Sequence, residues 1–546
     1  MIGAYLRLCR LLNQAEGEDS NVKIIAGPLL KFAGGTATEW DVSILVVTNS
    51  EHPPQIQSQQ HSGSEEHDPT LIYQFQKAWF WKTSLRFERP PEQAQIQYRV
   101  TLGNRKYEGD FFIPATGQIP AMAYGSCAGF HSLKEAQKFR GRQNERWSNM
   151  LQQHNDFSAA YATGSAHSAE TPPFHLLMMG GDQVYADQIL EENKETSSIQ
   201  RWIESGQNTT RKFTDLMEIQ VERFYLNLYL RRWSQPEPSR AYSRIPSLMM
   251  WDDHDIFDGW GSHDPELQQC PVYQGIFEIA AKYFRLFQHH SASLDEVPGL
   301  LPQPRPGDQN HSVGFHLGAL ALAALDLRGS RSSDQVMGRH NMDRFLNWLD
   351  CLPADAEAPK HLILMLSLPL MYPAFPDAAE FLLEHVWNPG GLHDDLRDHW
   401  TSPPHRDEQV RLAERLLKFS REKQCRVTIV SGDVHVAATG VIRRTGPAPN
   451  PCFNLITQLV SSAIVNSPPV GLMVHFLNRL TDHQLTFSSG AHPVVGQMTR
   501  FMGATSPFIA RRNWLSLQPD SQDRLWAKIH IEGDPYPRTK VIDHRT

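Results

Sequence analysis

The feature that most constrains this chain is a unit that recurs from about Ala121 onward. A short, mostly apolar run stops abruptly in a cluster of small and polar residues, and a helical pattern follows. The runs are Phe174–Met179, Pro246–Met250, Ala319–Leu325, His361–Leu366 and Val427–Val430. Apolar runs of this length suit strands buried on both faces. Between them the period becomes helical, over Lys212–Trp233 and over Asp407–Phe419, where Leu412, Leu416 and Phe419 share a face. Strands alternating with helices predict an α/β layered domain.

The chain has 546 residues, more than one hydrophobic core usually serves, so a second unit is expected. Residues 21–118 read as β: Asp41–Thr48 is β-branched and partly alternating, Leu85 and Phe87 alternate with charge, as do Ile96, Tyr98 and Val100, and Tyr107–Ile113 adds another run. Strands at this spacing predict a small sandwich. Within it the polar stretch Asn49–Pro69 reads as a disordered inserted loop, and residues 1–20 as an N-terminal extension. Asp156–Pro173 and Pro302–Asn310 read as surface loops. The catalytic unit would run over 119–546, ending in two strand-like pieces, Asn513–Leu517 and Leu525–Glu532, placed to cap a sheet edge.

Bulk properties exclude several classes. The net charge is −8, against the clustered cations that polyanion binding needs, so no nucleic-acid polymer is expected as partner. No apolar run approaches the roughly 20 residues of a bilayer-spanning helix. Arg7 and Arg10 interrupt the apolar start, so no export signal is expected; the chain reads as cytoplasmic, with a transit-type helix as the lesser alternative. The six cysteines are scattered without a CxxC pair, which suits a reducing compartment.

Five polar clusters follow apolar strands, and ligands in open α/β folds bind at the carboxyl ends of strands. Gly125-Ser126-Cys127 offers a thiolate to a metal, or a buried cysteine beside a tight turn. Gly180-Gly181-Asp182-Gln-Val-Tyr185-Ala-Asp187 offers a carboxylate able to bridge two metals and a phenolate suited to ferric iron, with Tyr185 on the same side if the turn is helical. The alternative there is an Asp N-cap above a packed tyrosine. Trp251-Asp252-Asp253-His254-Asp255 places three carboxylates and an imidazole in four residues, and like charges so close repel unless a cation or hydrogen bonds hold them. Asp326-Leu-Arg328-Gly-Ser-Arg331 presents two guanidinium groups for phosphate oxygens, or an Asp–Arg pair that closes a loop. In Ser431-Gly-Asp433-Val-His435, an extended backbone would aim Asp433 and His435 to the same side.

The ordered set GSC, GDQVYAD, WDDHD, DLRGSR and SGDVH resembles the PhoD-like alkaline phosphatase D family of the calcineurin-like metallophosphatase superfamily. The resemblance runs from about Ala121 to about Asn466, where Gln458–Ile464 also looks familial, and Ala26–Lys31 looks like the opening strand of the accompanying β domain. It implies a four-layer fold, helices flanking two sheets, preceded by a small β-sandwich. It implies iron and calcium as cofactors, other divalent metals being possible. It maps the iron ligands to Cys127 and Tyr185, the bridging carboxylate to Asp182, further ligands to Asp252, Asp253, Asp433 and His435, and a general acid or phosphate contact to His254. Two departures stand out. The superfamily's opening Asp-x-His is replaced by Gly-Ser-Cys127, and Asp258-Gly259 stands where many members carry Asn-Asn.

The reading that follows is a hydrolase acting on phosphate monoesters or diesters of small molecules. Metal-bound hydroxide would attack phosphorus directly, with Arg328 and Arg331 on the non-reacting oxygens, and Ser126 would be a turn residue rather than a nucleophile. The rivals are a phosphodiesterase of purple-acid-phosphatase type on the same framework and a non-catalytic metal-binding interaction module.

Overall fold

The computed structural model describes residues 22–60, 63–162, 172–191, 194–373, 400, 403–447, 450–469, 478 and 484–545. The expected N-terminal extension 1–20 lies outside them, as do residues 163–171 of the expected loop Asp156–Pro173. The first part of that loop instead continues the helix Glu145–Ala162. The apolar runs become strands Leu176–Gly180, Ser247–Met250, Leu320–Leu325, His361–Leu366 and Arg426–Ser431, in which every residue is buried. The protein is a mixed α/β structure, as the alternation of strand and helix patterns predicts.

The strands form two large sheets. One has ten strands, in the order Arg538–Ile542, Leu525–Ile531, Asn513–Pro519, Met122–Gly125, Leu176–Gly180, Ser247–Met250, Ile24–Gly35, Glu39–Thr48, Ala78–Glu88 and Thr70–Phe75. The other has nine, with Leu320–Leu325, His361–Leu366, Arg426–Ser431 and Leu455–Ser461 as adjacent parallel strands. Met122–Gly125, Leu176–Gly180 and Ser247–Met250 are likewise parallel neighbours. All five polar clusters therefore leave the carboxyl ends of central parallel strands. The two C-terminal pieces extend the sheet beyond Met122–Gly125, with Arg538–Ile542 outside them as the edge strand.

Alternation along the second sheet decides which core each side chain joins. Leu320, Leu322, Ala324, Ile363 and Met365 share one apolar cluster with the first sheet, whereas Ala321, Ala323, Leu325, Leu362, Leu364 and Leu366 join a second. That second cluster takes in the buried faces of helices Gly338–Cys351 and Arg406–Lys423. Buried residues of helices Asp215–Trp233 and Pro271–Phe284 belong to the first cluster. The period of 2 in the strands and 3.6 in the helices thus suffices to sort the apolar residues.

The N-terminal region is built into this scaffold. Its strand Ile24–Gly35 pairs in parallel with Ser247–Met250, with Lys31 opposite Ser247, and so continues the sheet that carries the WDDHD cluster. A four-stranded sheet, Gly63–His67, Gln55–Gln60, Ala94–Leu102 and Arg105–Ile113, stands apart from the two large ones. The polar stretch Asn49–Pro69, expected as a disordered loop, contains two of its strands, with Ile56 opposite His67 and Gln60 opposite Gly63. Its outward side chains are polar, but Ile56 and Ser58 alternate inward and are buried, which is enough to fix a register.

Phe32 joins the two large sheets: its ring lies 4.6 Å from that of Trp40 and 5.0 Å from that of Phe315. Phe32→Ala should destabilise the protein by about 3–5 kcal/mol, read from denaturant unfolding. A loss below about 1 kcal/mol would show that the sheets are not packed through this contact.

Candidate metal centre

Backbone geometry brings the clusters together. Cys127, Asp182, Tyr185, Asp433 and His435 all have left-handed backbone, with φ of 53°, 58°, 57°, 67° and 51°. Residues other than glycine rarely adopt this region, and such conformations concentrate at functional sites because surrounding structure must hold them. What holds the Asp182 turn is visible. Asp255 Oδ1 accepts from the Gln183 and Val184 amides at 2.9 and 3.0 Å, while its Oδ2 accepts from the Asp252 amide at 3.1 Å. Gly181, at φ 109°, lets the turn press on its neighbour: a Cβ there would stand 2.8 Å from the Asp252 Cβ.

Ligand-capable atoms converge within 4.8 Å of one another in three groups: Cys127 with Asp182 and His435; Asp182 with Asp253 and His254; Asp182 with Asp252 and Asp433. Asp182 belongs to all three. Its Oδ2 lies 3.5 Å from the Cys127 sulfur and 3.4 Å from the Tyr185 hydroxyl, while its buried Oδ1 has no hydrogen-bond partner among the described residues. Tyr185 is further held by Asn466, whose amide donates to the phenolic oxygen at 2.7 Å. The Cys127 sulfur stands 3.0 Å from the Ser462 hydroxyl, and Ser462 also accepts from the His435 amide at 3.3 Å.

Two expected local geometries differ. Tyr185 does not reach Asp182 by a helical turn; the 3₁₀ turn begins only at Asp187, and the left-handed Tyr185 backbone does the aiming. Asp433 and His435 are not in extended backbone either. Each is separately left-handed, and each joins a different group around Asp182. Both differences arise because the strands end before the clusters, at Gly180 and Ser431, leaving the loop backbone free of the ladder.

The two arginines of the DLRGSR cluster were expected on phosphate oxygens. Arg328 is fully buried, and its guanidinium faces the carboxylates instead: Nε donates to Asp252, Nη2 to Asp253 Oδ1 at 3.3 Å and Nη1 to the Trp260 carbonyl at 3.1 Å. A fork spent in this way orients carboxylates. Arg331 is also buried, its stem packed against Gly261. Asp326 closes the loop as a structural acceptor, taking the Arg328 and Gly329 amides at 2.9 and 2.8 Å and the Trp251 indole at 2.7 Å.

His254 lies at the rim, its side chain 15% exposed, with its ring stacked 4.6 Å from Tyr185. Its Nδ1 is 2.8 Å from Asp187 Oδ1, which also accepts the Asp258 amide at 3.0 Å. Asp187 and Asp255, which hold the His254 imidazole and the backbone of the Asp182 turn, were given no role by sequence reasoning. Their positions in GDQVYAD and WDDHD were the available signal, but carboxylates aimed at backbone and imidazole cannot be told from ligands by spacing.

The electrostatics state what the site requires. Burial pushes the Cys127 thiol, the Tyr185 phenol and the Asp182 carboxyl well above their ordinary values, and neighbouring acidic groups add to each. Burial lifts Asp255 to about 7 against the amides that bond it. Burial lowers His435 to about 3, with His254 contributing. Burial also opposes charge on His254, but Asp187, Asp253 and Asp182 outweigh it and raise the imidazole well above its usual range. A cation among these donors reverses the penalty on every carboxylate, thiolate and phenolate at once. The orphaned Asp182 oxygen and the mixed sulfur, phenol, imidazole and carboxylate donors fit metal binding.

Arg328 sets a fully buried guanidinium against both Asp252 and Asp253. Arg328→Met should cost about 3–5 kcal/mol in stability, because it removes the cation paired with two buried carboxylates, and should weaken metal retention. Unfolding and metal content read together check this; an unchanged midpoint would mean the pairing contributes nothing.

The family model described as PhoD related phosphatase matches residues 147–389 and 382–493, which takes in every cluster except Gly125–Cys127. An uncharacterized protein of Saccharomyces cerevisiae is 25% identical over 91% of this chain and 81% of its own. Among solved structures, the ectodomain of mouse nectin-like molecule 4 matches with a TM-score of 0.15 at 11% identity, over 18% of this chain and 36% of that one. The type III pullulan hydrolase of Thermococcus kodakarensis matches with a TM-score of 0.14 at 9% identity, over 76% of this chain and 61% of that one. Likenesses this slight carry no argument about fold or function. The family match does, because it spans most of the chain: the chain belongs to the PhoD-related phosphatases.

Proposed function

We propose that this protein is a metal-dependent phosphoesterase acting on small phosphate monoesters or diesters, on a four-layer sandwich of two sheets flanked by helices. Residues 119–546 carry the catalytic unit, and the sandwich-like β region 21–118 completes its first sheet. The observation that carries the function is the sharing of Asp182 among three groups of candidate ligands, the arrangement a bridging carboxylate requires.

The ligand set we assign is Cys127, Asp182, Tyr185, Asp252, Asp253, Asp433 and His435. Cys127 and Tyr185, both near Asp182 Oδ2, favour iron at one position; the carboxylate-rich group, Asp252 with Asp433, favours a harder cation such as calcium. When bound, such metals lower the pKa of water towards about 7 and neutralise phosphate charge.

The chain's own residues do the rest. Arg328 fixes Asp252 and Asp253 in the orientation that ligation needs, which makes it a positioning residue. His254, braced by Asp187 through Nδ1, leaves Nε2, 3.9 Å from Asp258 Oδ1, as the atom that can protonate the leaving oxygen. Stacking on Tyr185 keeps the imidazole plane fixed while that proton moves. Arg331 stands with Arg328 on the loop after Leu325 and is the remaining candidate for a phosphate contact. Ser126 is buried and donates to the Ser461 carbonyl at 3.2 Å, the role of a turn residue.

A panel of phosphomonoesters and diesters tests the activity. Loss of hydrolysis on chelation and recovery with iron, with or without calcium, is expected; hydrolysis indifferent to chelation would remove the metal reading. His254→Ala should lose about 10²–10⁴-fold in rate with alkyl leaving groups and much less with nitrophenyl ones. Asp187→Asn should show the same leaving-group bias more weakly. Equal losses on both substrates would mean that His254 acts on phosphate charge and not as the acid.

A further inference from the structure

Behind the strand that carries WDDHD lies a second cluster of titratable groups, which the proposed chemistry does not use. Lys31, His289, His290 and His311 are each at most 1% exposed. Lys31 sits in register with Ser43 on one side and Ser247 on the other. Ser43 binds His290 Nδ1 at 2.8 Å, which sets the two adjacent histidines against the strand that pairs with Lys31. His289 closes a π-helical turn, Arg285–His289, and His290 leaves it with left-handed backbone at φ 51°. Turns of this kind interrupt helices mostly where function needs them. His289 stacks on His311 at 6.0 Å, and Arg285 Nη1 stands 3.3 Å from His311 Nε2.

Lys31 Nζ, both ring nitrogens of His289 and Arg285 Nε are buried without a partner among the described residues. Burying such groups unsatisfied costs several kcal/mol in general, and native structures satisfy them with protein, water or a bound ion. Asp326 takes the His311 amide at 2.8 Å and the Trp251 indole and stands 3.3 Å from His311 Nδ1, and Glu296 acts on Lys82, so neither is a partner of Lys31 Nζ or of the His289 ring. The unpartnered atoms of Lys31 and Arg285 are donors, so a cation is repelled.

We propose that Lys31 and His289 form an internal binding site for a small inorganic anion, which ties the strand Ile24–Gly35 to the π-helical turn. Burial, with Lys82 adding, lowers Lys31 to about 7, and a bound anion restores its charge. The site is closed to solvent, so the ion is structural and exchanges only when the N-terminal strand opens.

Melting of the full chain at constant ionic strength tests this, with chloride, bromide or inorganic phosphate replacing gluconate. The wild type should melt about 2 °C or more higher in chloride or phosphate than in gluconate. Chloride and phosphate distinguish a halide from an oxyanion site, and either supports the proposal if the response disappears in Lys31→Met. Bromide-soaked crystals should show an anomalous peak within hydrogen-bond reach of Lys31 Nζ. Should Lys31→Met not fold, His289→Gln and the bromide peak decide. No anion-specific shift in the wild type, an undiminished shift in the variants, or no bromide at Lys31 would overturn the proposal.

Discussion

Concentrated negative charge at the ends of parallel strands is the constraint around which this molecule is organised. Asp182, Asp252, Asp253 and Asp255 are buried together, which folding tolerates only if each carboxylate is assigned a partner. The structure divides them by role. Asp255 is spent on backbone amides, Asp252 and Asp253 on Arg328, and Asp182 keeps one oxygen without a partner at the point where all three ligand groups meet. The left-handed backbone at Cys127, Asp182, Tyr185, Asp433 and His435 shows that the chain accepts local strain to present those side chains.

Much of this was legible in the sequence, and for a physical reason. A parallel strand buried on both faces must be a continuous apolar run, so its end is marked by the first polar residue. Hence Met179–Gly181 and Val430–Gly432 announce both the strand end and the site. Sequence order also revealed which clusters act together, since adjacent parallel strands bring their carboxyl ends to one place. Direction within a cluster was not legible. Spacing suggested an extended Asp433-Val-His435 and a helical Asp182–Tyr185, but φ in a loop is set by distant partners such as Asp255. For the same reason Arg328 could be placed near the site but not pointed: its fork meets carboxylates 76 and 75 residues away in sequence, and nothing local records that.

The N-terminal region shows a related limit. Its strands were recognisable, but alternation does not say which sheet a strand joins, and Ile24–Gly35 pairs with Ser247–Met250. The polar stretch Asn49–Pro69 looked unstructured because strands with one polar face and few apolar residues resemble loops in composition. Ile56 opposite His67, and Val100 opposite Ile56 on the next strand, supply the pairing that composition hides. A sheet shared between the N-terminal strands and the catalytic strands couples the stability of one to the geometry of the other.

The central claim, that Asp182 bridges more than one cation, is tested most directly by the metal-to-protein ratio of purified wild type and Asp182→Asn, measured by elemental analysis alongside circular dichroism. The account predicts more than one metal ion per wild-type chain and loss of all of them together in the folded variant. A folded Asp182→Asn protein that keeps its full complement of metal would contradict it.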